Sequence, residues 1–163
     1  MLSLSKRADY ALLALSHLAV TQAEDPERLV NTKEIAEQYE IPGELLAKIL
    51  QTLARGAIVA SHPGPTGGYR LLRAPAAISI SEVITVIDGP LSILQCSNGH
   101  GDDCKQFSRC TIRDPMAEIE RRVKNLLQEI TLEDVSAAAP VGDVGPLFED
   151  FSRRSFAVGL TLG

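Results

Sequence analysis

Apolar positions recur at helical spacing from the start of the chain. Ala8, Leu12, Leu15 and Ala19 fall on one face, and Ser5 stands where an N-cap belongs, which predicts a helix to about Val20. The polar stretch Thr21 to Arg28 is expected to end it. Asn31 or Thr32 then caps a short helix over Lys33 to Gln38, with Glu34 three residues beyond Asn31 in the arrangement of a capping box. Tyr39 to Ile41 reads as a tight turn. Pro42 and Gly43 open a third helix whose Leu45, Leu46, Ile49, Leu50 and Leu53 form an apolar stripe, leaving Glu44, Ala47, Lys48 and Gln51 outside it. Two helices joined by about three residues form a helix-turn-helix.

After Gly56 the period shortens from helical to extended. Residues 57–62 and 69–73 read as strands, and Pro63 to Gly68 reads as the turn between them. A hairpin directly after a helix-turn-helix is a wing. Ser79, with Glu82 at the capping-box position, begins a fourth helix that Gly89-Pro90 stops near Asp88. Residues 91–112 have no periodicity and read as a loop. Asp114-Pro115 then starts a helix with Met116, Ile119, Val123, Leu126 and Ile130 on a coiled-coil seam. Glu118, Glu120, Arg121, Arg122, Lys124 and Glu129 are expected to be wet, so the helix should pair with a second copy of itself. The expected fold is mostly α: a winged helix-turn-helix with a small β-hairpin wing and a long C-terminal dimerisation helix. Its parts are a DNA-binding domain over residues 1–90, a cysteine loop over 91–112, the dimerisation helix over 113–136 and a weakly ordered tail over 137–163.

Composition sharpens this. Of the 163 residues, 45% are hydrophobic and only 4% aromatic, a balance that suits packed helices. No stretch approaches the 18 apolar residues of a membrane span, and the first ten residues do not read as a signal peptide, so a cytoplasmic address without membrane contact is expected. The net charge of −5 opposes nucleic-acid binding only on average. Residues 1–75 are balanced, and from Ile41 to Arg73 the charges are Lys48, Arg55, Arg70 and Arg73 against Glu44 alone. The helix-turn-helix and wing are therefore locally positive, the arrangement that attracts phosphates.

Cys96, Cys104 and Cys110 share a polar loop, with seven and five residues between them. In a reducing compartment such thiols bind metal or sense redox state rather than form a structural disulfide. On spacing alone an iron-sulfur cluster, a zinc site completed by His100, and ordinary reduced thiols stand level. Catalysis finds no support: His17, His62 and His100 lack a partner acid or nucleophile at a recognisable spacing. Gly64-x-x-Gly67-Gly68 lacks the Lys-Ser/Thr ending of a phosphate loop and belongs to the hairpin turn. An enzyme is not expected.

Context separates the cysteine readings. Leu4 to Ala11, Gly67-Gly68-Tyr69-Arg70-Leu71, Ile80-Ser81-Glu82-Val83-Ile84, the three-cysteine loop and Ile130-Thr131-Leu132-Glu133-Asp134 together resemble the iron-sulfur cluster regulators of the IscR, NsrR and RirA kind, the Rrf-type winged-helix regulators, over residues 1–136. The resemblance implies a homodimeric transcription regulator that binds a double-stranded DNA operator. It also implies a labile cluster on Cys96, Cys104 and Cys110 that reports cluster, iron, redox or nitric oxide status, and control of cluster-assembly, iron or stress genes. The ligand histidine of IscR-like members falls on Arg113 here, which excludes that ligand. The carboxylate that NsrR-like members contribute from the partner subunit's first helix falls on Asp9, for which a solvated carboxylate in a first helical turn is the equal alternative. The cysteine spacing is most similar to RirA-type members and favours 4Fe-4S over 2Fe-2S. On DNA, the third helix would enter the major groove with Glu44, Lys48 and Gln51. Lys6, Arg55 and Arg70 would take phosphates, with a solvated surface charge as the alternative for each, and Thr66 and Tyr69 at the wing tip would touch the minor groove or the DNA backbone. Tyr69 serves equally well as ordinary strand packing. A cluster-free thiol switch and a zinc-stabilised partner-binding protein are the competing readings.

Overall fold

The computed structural model describes residues 4–93 and 105–136; Cys96, Cys104 and the tail 137–163 lie outside the described residues. Helix α1 (Lys6–Glu24) begins where Ser5 Oγ accepts the Ala8 N–H, and helix α2 (Thr32–Gln38) begins where the Asn31 side chain accepts from Glu34. Helix α3 (Gly43–Arg55) follows. The wing is β1 (Val59–His62) paired antiparallel with β2 (Gly68–Leu71), with Val59 opposite Leu71. A 3-10 turn at Pro75–Ala77 leads to α4 (Ile80–Asp88), capped by Ser79. A second 3-10 turn at Phe107–Arg109 precedes α5 (Arg113–Glu129), and α6 (Leu132–Ser136) completes the described chain. The expected mostly helical winged fold is the observed one.

The core joins all of these helices except α5. Leu15 and Leu18 of α1, Ile35 of α2, Leu46, Ile49, Leu50 and Leu53 of α3, Ile58, Val83 of α4 and Leu132 of α6 are fully buried. Ala8, Ala11 and Ala14 bury the same face of α1. The buried face of α1 is thus centred on Ala11, Leu15 and Leu18, and Leu12 is only half-buried beside it.

Four expectations are corrected by tertiary contacts. The polar run after Val20 does not end α1. Thr21 is buried, the Asp25 N–H donates to the Thr21 carbonyl at 2.9 Å, and Gln22 Oε1 accepts from the Leu71 N–H at 2.7 Å. The first strand starts two residues late because Ala57 has a left-handed backbone (φ 55°) and the Ile58 N–H still donates to Leu53 of the preceding helix. The second strand ends at Leu71, since the Arg73 guanidinium turns to the Ala77 carbonyl and Glu82. The long helix stops at Glu129: the Ile130 carbonyl accepts from the Ile80 N–H at 2.9 Å and the Leu132 N–H donates to the Ile78 carbonyl at 2.8 Å. Ile130 therefore returns to the winged domain instead of extending the seam.

Candidate nucleic-acid interface and cysteine site

Helix α3 has two faces. Leu46, Ile49, Leu50 and Leu53 are buried, whereas Glu44, Lys48, Gln51 and Arg55 are all exposed at steps of four, three and four residues. That spacing stacks the four polar side chains in one row along the helix. The left-handed backbone at Glu40 (φ 52°) turns the chain so that α3 crosses α2. Thr52 Oγ1 donates back to the Lys48 carbonyl and accepts from the Arg55 guanidinium, which holds Arg55 beside the row.

The wing is set by backbone contacts. Tyr69 and Val30 exchange hydrogen bonds of 2.8 and 3.1 Å, so β2 is flanked on both sides. A Cβ on Gly68 would lie 2.6 Å from the Val30 carbonyl oxygen, and one on Gly67 would lie 2.1 Å from that of His62. Only glycine permits these approaches. The tip, with Thr66, is exposed, whereas Tyr69 is half-buried against the core, where it packs. Arg70 meets the exposed Glu27 at 3.4 Å, and Lys6 meets Asp9 at 4.0 Å. Exposed pairs of this kind contribute little and exchange readily for a phosphate.

The α1–α2 junction carries a cluster that spacing did not reveal. His17 Nε2 lies 3.4 Å from Glu34 Oε1, and its Nδ1 lies 3.4 Å from the Tyr39 hydroxyl. Arg28 donates to the same Glu34 oxygen at 2.7 Å. His17 thus has a partner acid, contrary to the sequence reading, but Tyr39 stacks edge-on against it at 5.7 Å and the group braces two helices.

Of the three cysteines only Cys110 is described. It is a half-buried free thiol in extended backbone (φ −76°, ψ 106°), three residues before α5 begins. Asp9, in the first turn of α1, keeps a side chain that is 44% exposed. Along α5 and its N-cap residue, the row Ile112, Ile119 and Leu126 is exposed (61%, 47% and 36%) at seven-residue intervals. Glu118 accepts from both Arg121 and Arg122, and those hydrogen bonds hold its carboxyl down to about 2. Glu120, expected in water, is buried: it accepts from the Ile93 N–H at 3.0 Å and from Lys124 Nζ at 2.6 Å. The Glu120–Lys124 spacing was legible as a helical pair. Its burial was not, because that depends on where residues 91–93 pass.

The family model described as Rrf2, iron-dependent transcriptional regulator, matches residues 4–138. The chain is 37% identical over 139 residues to an rrf2-like HTH-type regulator of Rhodobacter capsulatus, covering 83% of this chain and 93% of the relative. It is 32% identical over 132 residues to the HTH-type transcriptional regulator IscR of Vibrio cholerae, covering 81% and 73%. The solved structure of CymR, the global cysteine regulator of B. subtilis, superimposes with a TM-score of 0.64 at 26% identity, covering 84% of this chain and 98% of that one. Among the described residues no helix is long and apolar enough to cross a membrane. A family match over most of the chain, a winged helix-turn-helix and a polar row along its second helix lead to one identification: the chain belongs to the Rrf2 family of DNA-binding transcriptional regulators and is not an enzyme.

Proposed function

We propose that the protein is a homodimeric operator-binding regulator whose DNA affinity is set by an iron-sulfur cluster on Cys96, Cys104 and Cys110, with Asp9 of the partner subunit as fourth ligand. The observation that carries this reading is the half-buried Cys110 thiol three residues ahead of α5, the helix whose apolar row would pair the two subunits. Three thiols and a carboxylate suit iron, and the exposed Asp9 side chain has only a 4.0 Å contact with Lys6 to give up. When bound, a cluster of this kind supplies a labile redox centre. Cys110 then transmits the loop's state to α5, α5 sets the spacing of the two α3 helices, and Glu44, Lys48 and Gln51 meet bases while Lys6, Arg55 and Arg70 hold phosphates, with Thr66 and Tyr69 at the wing. The cysteine spacing favours 4Fe-4S, and within residues 113–136 it is α5 that serves dimerisation, while α6 packs on the winged domain. The free, half-buried Cys110 thiol also fits a second reading, in which the same thiols act without a cluster as an oxidation switch.

The test is an anaerobic visible spectrum of fresh protein with iron and sulfide assays, beside Cys110→Ala, followed by operator binding with and without cluster. Visible absorbance, iron and sulfide that vanish together in the variant are expected, with affinities differing about fivefold or more between the two states. Colourless protein whose DNA affinity follows thiol oxidation would transfer the role to the thiol switch.

A further inference from the structure

Glu120 is the one charged side chain buried among the described residues, 5% exposed on a helix that is otherwise largely in water. Burying a carboxylate is costly unless its charge and lone pairs are met, and an apolar side chain of equal volume would fill the place at less cost. Its partners explain the choice. Lys124 Nζ, one turn along the same helix, neutralises the charge at 2.6 Å, and the other oxygen accepts the backbone N–H of Ile93 at 3.0 Å. Ile93 follows the Gly89-Pro90 turn out of α4 and stands three residues before Cys96.

We infer that Glu120 is a positioning residue for the cysteine site: it anchors the entrance of the cysteine-bearing segment to the same helix that Cys110 enters at the other end. The inference rests on the cluster reading proposed above for the ligands it serves. Cys110 is tied to α5 by the chain itself, three residues before Arg113. Glu120 lies seven residues into that helix, about 10 Å along its axis. Ile93 and Cys110, the described residues on either side of this segment, are thereby held a fixed distance apart on α5, so part of the entropy of bringing the thiols together is met by the fold before any ligand arrives. A displacement at the thiols likewise acts on α5 from both ends. Neither effect needs Glu120 to touch a ligand.

The variants are Glu120→Met, which keeps the volume and removes the acceptor, and Glu120→Gln, which keeps an acceptor for the Ile93 N–H. Two readouts are taken on the full chain: hydrogen exchange at the Ile93 amide, and loss of visible absorbance under a chelator after anaerobic reconstitution with iron and sulfide. E120M is expected to expose the Ile93 amide and to lose the cluster roughly tenfold faster, the effect of one charge-assisted hydrogen bond, while E120Q restores both. Unchanged chelator kinetics in a folded E120M, or E120Q as impaired as E120M, overturns the inference. If wild type takes up no cluster, that reading fails separately, and alkylation of Cys96 decides this one. Faster labelling in E120M than in wild type and E120Q supports it; equal rates refute it.

Discussion

Lys48 and Arg70 carry the same charge, but their settings assign them different work. Lys48 is exposed in the polar row of α3, so in a major groove it faces base edges; Arg70 is half-exposed on the wing and pairs with Glu27, as a backbone-contacting group would. Under the proposed docking, Lys48→Ala should cost about 1–3 kcal/mol of operator affinity and narrow the gap between operator and random DNA. Arg70→Ala should weaken both alike and lower the salt dependence by about one ion. Titrations at several salt concentrations separate the two, and a reversed pattern would mean that α3 does not read the sequence. Gly68 makes a residue-scale prediction about stability. A methyl group 2.6 Å from the Val30 carbonyl forces β2 and the α1–α2 connection apart, so Gly68→Ala should cost about 2 kcal/mol or more in a thermal melt. Gly43, with open space around its Cβ position, is the matched control. The sequence marks Gly67 and Gly68 as turn residues. It does not show that Val30 closes in on Gly68, since the bridge that brings them together, Val30 to Tyr69, joins positions 39 residues apart.

At the scale of elements, caps and periodicity located nearly every helix because their causes are local. Ser5, Asn31 and Ser79 accept the N–H groups expected of them. Boundaries failed where a partner distant in sequence intervened, as Gln22 does in carrying α1 toward the wing and Ile130 does in ending α5. The capping-box carboxylates show the same limit, for Glu34 and Glu82 have turned to Arg28 and Arg73. Helix α5 adds a prediction about pH. Glu118 has a folded pKa of about 2, held down first by its hydrogen bond from Arg121, then by that from Arg122, below an ordinary value of 4.5. A lowered carboxyl pKa stabilises the folded form above the unfolded value, and that contribution disappears as pH falls from about 4.5 through about 2. Because the group is exposed the effect is small and screened by salt. Ellipticity followed between pH 5 and pH 2 in low salt should fall less steeply in Glu118→Gln than in wild type. Parallel curves would show that the Arg121–Glu118–Arg122 group does not support the helix.

On the scale of the whole molecule, the winged domain closes its own core while α5 does not close its seam. Ile112, Ile119 and Leu126 stay in water on a single copy, although among the described residues every fully buried large side chain belongs to the winged domain or α6. A row of apolar residues at heptad spacing, repeated on an identical chain, is self-complementary about a two-fold axis. Under the proposed dimer, Ile119→Glu sets two carboxylates against each other at that axis. The molar mass in solution should halve. The thermal melt of the winged domain should change little, since Ile119 takes no part in its core. Operator affinity should fall roughly a hundredfold or more, because two linked α3 helices bind as one ligand and separated ones do not. Cluster retention should fall with it, since Asp9 comes from the partner in this scheme. A variant that remains dimeric would place the interface elsewhere. A monomer that keeps full operator affinity would mean that one winged domain suffices on DNA, and the coupling from Cys110 through α5 would then have nothing to act upon.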